Sequence, residues 1–130
     1  MKKKPYLGIC VGMQLLANNS LENGNHKGLG WINAEITKLP TNNLVLPHMG
    51  WNEIVFKTDH SITNGIQNNN FYFVHSYYFK VENDNNIVAT TNYGIEFPAI
   101  VAKNNIIGCQ FHPEKSSVDG IKILTNFLKQ

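Results

Sequence analysis

The chain is 130 residues long with a net charge of +2, 42% hydrophobic and 15% charged residues, which is the profile of one folded domain with a single buried core, not of a disordered chain. All eleven basic side chains are lysines, so the planar guanidinium fork that reads guanine or clamps phosphate is missing, which argues against nucleic-acid binding. No apolar run is long enough to span a bilayer, none near the start has the form of a secretory signal, and the two cysteines lack metal-type spacing; the expectation is a cytoplasmic protein, one domain over 1–130, with free thiols.

Lys2-Lys3-Lys4 is a solvated start, and Pro5-Tyr6-Leu7-Gly8-Ile9 is a short apolar run suited to a buried strand. Cys10 follows, framed by Gly8 and Gly12, and Met13 to Asn18 continues as a helix. Asn23 to Gly30 is a loop. Trp31 to Leu39 and Trp51 to Phe56 are predicted strands separated by a turn at Pro47-His48-Met49-Gly50. Further strands are predicted at Phe71 to Val74, Tyr77 to Val81, Ile87 to Thr91, Phe97 to Lys103 and Ile106 to Phe111, the last two joined by a tight hairpin at Asn104-Asn105. The chain closes in a helix capped by Ser116 or Ser117, with Asp119 in its first turn and an apolar face of Val118, Ile121, Leu124 and Leu128. Helix, sheet and helix make an α/β layered domain.

The cysteine is the residue that carries chemistry. A nucleophile on a sharp strand-to-helix turn leaves room beside it only for residues without Cβ, which accounts for both glycines, and the N–H groups opening the helix are expected to lower the thiol's pKa. A thiol nucleophile needs a base and a group to orient that base. Gln110-Phe111-His112-Pro113-Glu114-Lys115 supplies both: His112 and Glu114 are two apart in a segment expected to be extended, so their side chains project to one side. Phe71 to Tyr78 ends an apolar strand with polar and aromatic groups, a candidate substrate wall. Cys109 reads as a buried hydrophobe, His26 and His60 as solvated loop residues, and His48 as structural, whereas His75 fits a strand-end or a substrate role equally.

These motifs resemble the class I (triad) glutamine amidotransferases. Within them the similarity is best to the amidotransferase subunits of imidazole glycerol phosphate synthase, through Gly8 to Leu16, Pro47 to Asn52, Tyr72 to Tyr78, Ala89 to Gly94 and Phe111 to Ser116. The resemblance implies a flavodoxin-like layered sheet with flanking helices. It implies that Cys10 attacks the side-chain amide of glutamine, that His112 serves as base and then acid, and that Glu114 orients His112. A γ-glutamyl thioester forms, water releases glutamate, and no cofactor or metal takes part. Gln14, Ser76 and Tyr77 match positions that hold glutamine, and the Val11 N–H matches a donor to the oxyanion. The ammonia passes to a β/α-barrel cyclase partner, against which Trp51, Tyr72 and Lys115 match contact positions.

The family pattern also places an N-terminal portion ahead of the elbow, with the first strands of the sheet and a second oxyanion donor. The fold is therefore expected to be N-terminally truncated, with an unpaired edge along Pro5 to Ile9. Loss of one oxyanion donor costs about a hundred- to a thousandfold in rate. Three functions stay open on these grounds: a glutaminase feeding the cyclase of histidine biosynthesis, a catalytically inactive fragment or binding subunit, and an ammonia supplier to a sugar-modifying enzyme of surface-polysaccharide synthesis.

Overall fold

The computed structural model describes residues 4–40 and 44–130; of the Lys2-Lys3-Lys4 start, Lys2 and Lys3 lie outside them. In chain order the elements are β1 (Tyr6–Ile9), α1 (Val11–Gln14), β2 (Asn19–Ser20), β3 (His26–Lys27), β4 (Ala34–Lys38), β5 (His48–Glu53), β6 (Val55–Phe56), β7 (Asn70–His75), β8 (Tyr77–Val81), β9 (Ile87–Asn92), β10 (Glu96–Lys103), β11 (Ile106–Cys109) and α2 (Ser117–Leu128).

The central layer is a five-stranded sheet in the order β1-β11-β10-β9-β6. β1 pairs in parallel with β11, Ile9 opposite Cys109, and lies at one of the two edges of the sheet, an edge position expected of Pro5 to Ile9. β10 and β11 form the predicted hairpin, with Lys103 opposite Ile106 and Asn104 at a φ of 56°, a conformation asparagine accepts better than most residues. Strand alternation sends side chains to two cores. Ile100 joins Phe71, Phe73, Cys109, Phe111 and Ile123 on one side, while its neighbour Val101 joins Met13, Leu16, Ile36 and Phe79 on the other. A four-stranded sheet, β3-β2-β4-β8, closes the second core, and β5 pairs with β7 as a separate ribbon.

Three expectations are corrected here. The helix after Cys10 is a single turn, Val11–Gln14, followed by turns. Pro47 to Gly50 is not a turn through its length, because β5 begins at His48, whose ring is buried opposite His75. The predicted apolar face of α2 is largely its outer face: Val118, Ile121 and Leu128 are exposed, and Asp119, Gly120, Ile123 and Asn126 point inward. The reason is polar. Asp119 accepts the backbone N–H groups of Gln67, Asn68 and Asn69, and Asn126 donates to the carbonyls of Ile62 and Asn64, so two hydrogen-bonding side chains fix the helix against the loop leading into β7. Gly120 sits where a Cβ would meet the Pro113 carbonyl oxygen at 2.0 Å, a close approach that only glycine permits.

Candidate active site

Cys10 occupies the corner between β1 and α1 with φ 54° and ψ −105°, a conformation that costs an L-residue about 1–3 kcal/mol and persists only where the surroundings over-determine it. They do so through the backbone. Its N–H donates to the Cys109 carbonyl at 2.8 Å, and its own carbonyl accepts from Met13 and Gln14 at 3.1 Å each. Gly8 is required sterically, since a Cβ there would lie 2.3 Å from the Gly12 oxygen. The same reason does not hold for Gly12: the nearest atom to a Cβ placed there is the Tyr6 hydroxyl, at 4.0 Å.

The thiol does not have the depressed pKa expected from the helix start. Burial pushes it above its ordinary value, and the Val11 N–H and the Gln110 amide, which pull it down, do not overcome that; Glu114 and Glu22 add to the upward push. In the neutral form Cys10 Sγ donates to the Val74 carbonyl at 3.8 Å. Gln110, wholly buried, donates from Nε2 to the sulfur at 3.7 Å and accepts at Oε1 from Gln14 Nε2 at 3.4 Å. Gln14 Nε2 donates as well to the Tyr77 carbonyl at 3.2 Å.

His112 Nδ1 is 2.9 Å from Glu114 Oε2, so the carboxylate engages one ring nitrogen and leaves Nε2 as the other. The segment is not extended throughout: His112 is, but Pro113–Lys115 forms a 3-10 turn that brings the carboxylate round to the ring. His112 is tied to β7 twice. Its N–H donates to the Tyr72 carbonyl at 2.9 Å, and the buried Ser116 hydroxyl accepts the Tyr72 N–H at 2.9 Å while donating to the His112 carbonyl at 2.6 Å. Ser116 therefore braces the His112 segment and does not cap α2 through its side chain.

His75 is buried beside the site, and His48 with it. His75 Nδ1 donates to the Tyr77 carbonyl at 2.8 Å, so its Nε2 accepts from His48 Nδ1 at 2.9 Å, and His48 Nε2 accepts from Asn52 at 3.1 Å. Burial, reinforced in His48 by the neighbouring His75, lowers both pKa values to about 4. His60 is not a free loop residue: its ring accepts the Ile62 N–H at 3.1 Å.

Val11 and Gln14 follow Cys10 in the one-turn helix, the Tyr77 carbonyl is reached through Gln14, and Ser76 stands at the β7–β8 corner, where its carbonyl takes the Leu39 N–H. Trp51, Tyr72 and Lys115 form a separate surface cluster. The Trp51 and Tyr72 rings meet edge to face at 6.1 Å, the Lys115 ammonium lies 6.0 Å over Tyr72, and Trp51 is 52% exposed. An open groove of about 560 Å³, lined by residues including Trp51, Asn70, Ser116 and Val118, adjoins this cluster and not the cysteine. Among the described residues no group of three or more His, Cys, Asp or Glu is placed to hold a metal ion, and no helix is long and apolar enough to cross a membrane.

The family model for glutamine amidotransferase class-I matches residues 1–130. The chain belongs to that family. Its similarity to other glutamine amidotransferases is strong in sequence: it is 51% identical to imidazole glycerol phosphate synthase subunit HisH 2 of Methanococcus maripaludis over 99% of this chain and 64% of that protein. It is 48% identical to subunit HisH of Caldanaerobacter subterraneus over 97% of this chain and 62% of that one, and 47% identical to subunit HisH of Buchnera aphidicola over 98% and 64%. The chain therefore spans less than two thirds of the length of these relatives. Among solved structures, a glutamine amidotransferase from Thermotoga maritima aligns with a TM-score of 0.62 at 17% identity, over 96% of this chain and 47% of that one. PurLQS from the same organism aligns with a TM-score of 0.67 at 16% identity, over 95% and 60%. At those identities the likeness concerns the fold, and it agrees with the layered α/β arrangement of this glutamine amidotransferase chain.

Sequence reasoning missed Gln110 and Ser116 as parts of the site. Gln110 stood in the quoted motif without a role. The available signal was its place, a polar residue between an apolar strand and the base, where the backbone must bury whatever side chain it carries.

Proposed function

We propose that this chain provides the glutaminase site of an imidazole glycerol phosphate synthase amidotransferase subunit, with Cys10 as nucleophile, His112 as base and acid, and Glu114 as orienter. The observation that carries the reading is a histidine whose Nδ1 is held by a carboxylate at 2.9 Å, in a chain of the glutamine amidotransferase family that also has a cysteine at a strained strand-to-helix corner. The names of the relatives, imidazole glycerol phosphate synthase subunits, support the pathway, histidine biosynthesis.

On this reading His112 Nε2 takes the thiol proton, and the sulfur attacks the glutamine side-chain carbonyl carbon. The Val11 N–H donates to the developing oxyanion. The tetrahedral adduct collapses to a γ-glutamyl thioester as the protonated His112 gives its proton to the departing amine, releasing ammonia. Water, deprotonated by His112, then attacks the thioester, giving glutamate and restoring the thiol. Gln14, Ser76 and Tyr77 hold the amino-acid end of glutamine, and Glu114 keeps the His112 tautomer and ring orientation. The ammonia goes to a β/α-barrel cyclase docked on Trp51, Tyr72 and Lys115, where the paired aromatic rings and the exposure of Trp51 suit an interface centre.

The test is glutamate release by the chain mixed with the cyclase subunit and its nucleotide substrate. Turnover abolished by Cys10→Ser is the expected result. No turnover in the complete mixture, with the unmutated chain folded, contradicts the proposal.

A further inference from the structure

The buried amide of Gln110 is held in one orientation by a chain of hydrogen bonds that begins at a group unable to donate. The Tyr77 carbonyl is an obligate acceptor, so the end of Gln14 that faces it at 3.2 Å is the amide nitrogen. That same nitrogen faces Gln110 at 3.4 Å, so Gln110 turns its oxygen to Gln14 and its nitrogen, Nε2, to the Cys10 sulfur at 3.7 Å. The Tyr77 carbonyl is itself anchored by a second donor, His75 Nδ1 at 2.8 Å. An N–H pinned toward a sulfur favours the thiolate over the thiol, because hydrogen bonds to a charged acceptor are about twice as strong as neutral ones.

We infer that Gln110 is a positioning residue of the site: its amide donates to the Cys10 thiolate and, in the same act, fixes the Gln14 amide with both of its hydrogens turned into the protein, leaving the Gln14 oxygen as the end with no protein donor among the described residues. The arrangement works against the burial of Cys10, and against the carboxylates of Glu114 and Glu22, which oppose a charge on the sulfur. The other ionisable groups around the corner are Cys109, itself buried and pushed far toward the neutral thiol, the neutral His75, and His112. The inference about the sulfur does not rest on the proposed glutaminase function.

The experiment is the pH dependence of Cys10 alkylation by iodoacetamide in the full chain, read by peptide mass spectrometry so that Cys10 and Cys109 are separated. Gln110→Met keeps the volume and removes the donor; the midpoint rises by about one pH unit, a tenfold slower alkylation at neutral pH. Gln110→Glu keeps an oxygen for Gln14 but turns a carboxylate on the sulfur, and raises the midpoint further. Folded variants with the parental midpoint overturn the inference. Should both variants unfold, the unmutated chain decides: the ¹⁵N side-chain amide resonance of Gln110 moves as Cys10 titrates, and a resonance that stays fixed overturns the inference equally. Alkylation needs no glutamine, so a chain that shows the shift without glutamine turnover counts against the glutaminase proposal and leaves the role of Gln110 at the sulfur standing.

Discussion

His48 donates its Nδ1 hydrogen to His75 Nε2 across the β5–β7 ribbon, 2.9 Å apart, and both rings are neutral and buried. Two buried imidazoles with pKa values near 4, against an ordinary value of 6.5, make folding pH-dependent in a definite direction. The unfolded chain binds protons that the folded chain refuses, so stability is full above about pH 6.5 and falls as the pH drops toward 4, by an amount of order 3 kcal/mol per ring at most. Urea denaturation at pH 7, 6, 5 and 4.5 measures the slope. In His48→Phe the new ring keeps the stacking with Phe73 and Tyr93 but leaves His75 Nε2 without its donor. That variant is about 1–3 kcal/mol less stable at pH 7 and has a shallower decline below pH 6.5; a slope equal to the parent's contradicts the assignment.

The two glycines beside Cys10 separate cleanly. Gly8→Ala drives a methyl group to 2.3 Å from the Gly12 carbonyl oxygen, where backbone must move, and destabilises the fold by about 3 kcal/mol. Gly12→Ala meets nothing closer than 4.0 Å and sits in α1, so its stability is unchanged or improved by about 0.5–1 kcal/mol. Thermal melts of the two variants side by side check the contrast, and equal losses would falsify it.

The difference between those glycines shows where sequence was informative and where it was not. Short-range chemistry was legible: Cys10 at a corner, the Asn104-Asn105 hairpin, the apolar strand of β7, and the closeness of His112 and Glu114 all follow from residues within a few positions of one another. What escaped depended on partners far along the chain. The rotation of α2 is set by Asp119 and Asn126 serving backbone groups between Ile62 and Asn69, about fifty residues or more away, and apolar periodicity alone points the helix the other way. β5 reaches back to His48 because its ring packs against His75 on β7, whereas proline and glycine nearby signal a turn. The thiol's burial, which outweighs the N–H groups aimed at it, is likewise a property of the packed core.

Ser116 is the brace between the surface and the base. Its hydroxyl is the partner of both the Tyr72 N–H and the His112 carbonyl, and Ser116→Ala leaves the buried N–H unpaired. The expected loss is about 1–3 kcal/mol in urea denaturation, together with a lower kcat for glutamine because the His112 segment loses one of its two ties to β7. A variant with parental stability contradicts the bracing role.

Trp51 is half-exposed and contributes to no core, so Trp51→Ala changes the stability of the chain alone by less than about 0.5 kcal/mol. Binding to the β/α-barrel cyclase is another matter. As the centre of the proposed interface, the same truncation weakens association by about 2 kcal/mol or more, with a smaller loss for Lys115→Ala. Isothermal titration calorimetry against the cyclase subunit measures both, and an unchanged Kd for Trp51→Ala removes this surface from the interface.

The central claim is that Cys10 is the nucleophile that receives glutamine. Incubating the chain and the cyclase subunit with a glutamine-analogue diazoketone, then mapping the adduct by peptide mass spectrometry, tests it most directly. The account predicts one adduct, on Cys10, suppressed by excess glutamine, with buried Cys109 unmodified; label on Cys109 instead, or a folded complex that takes no label, contradicts it.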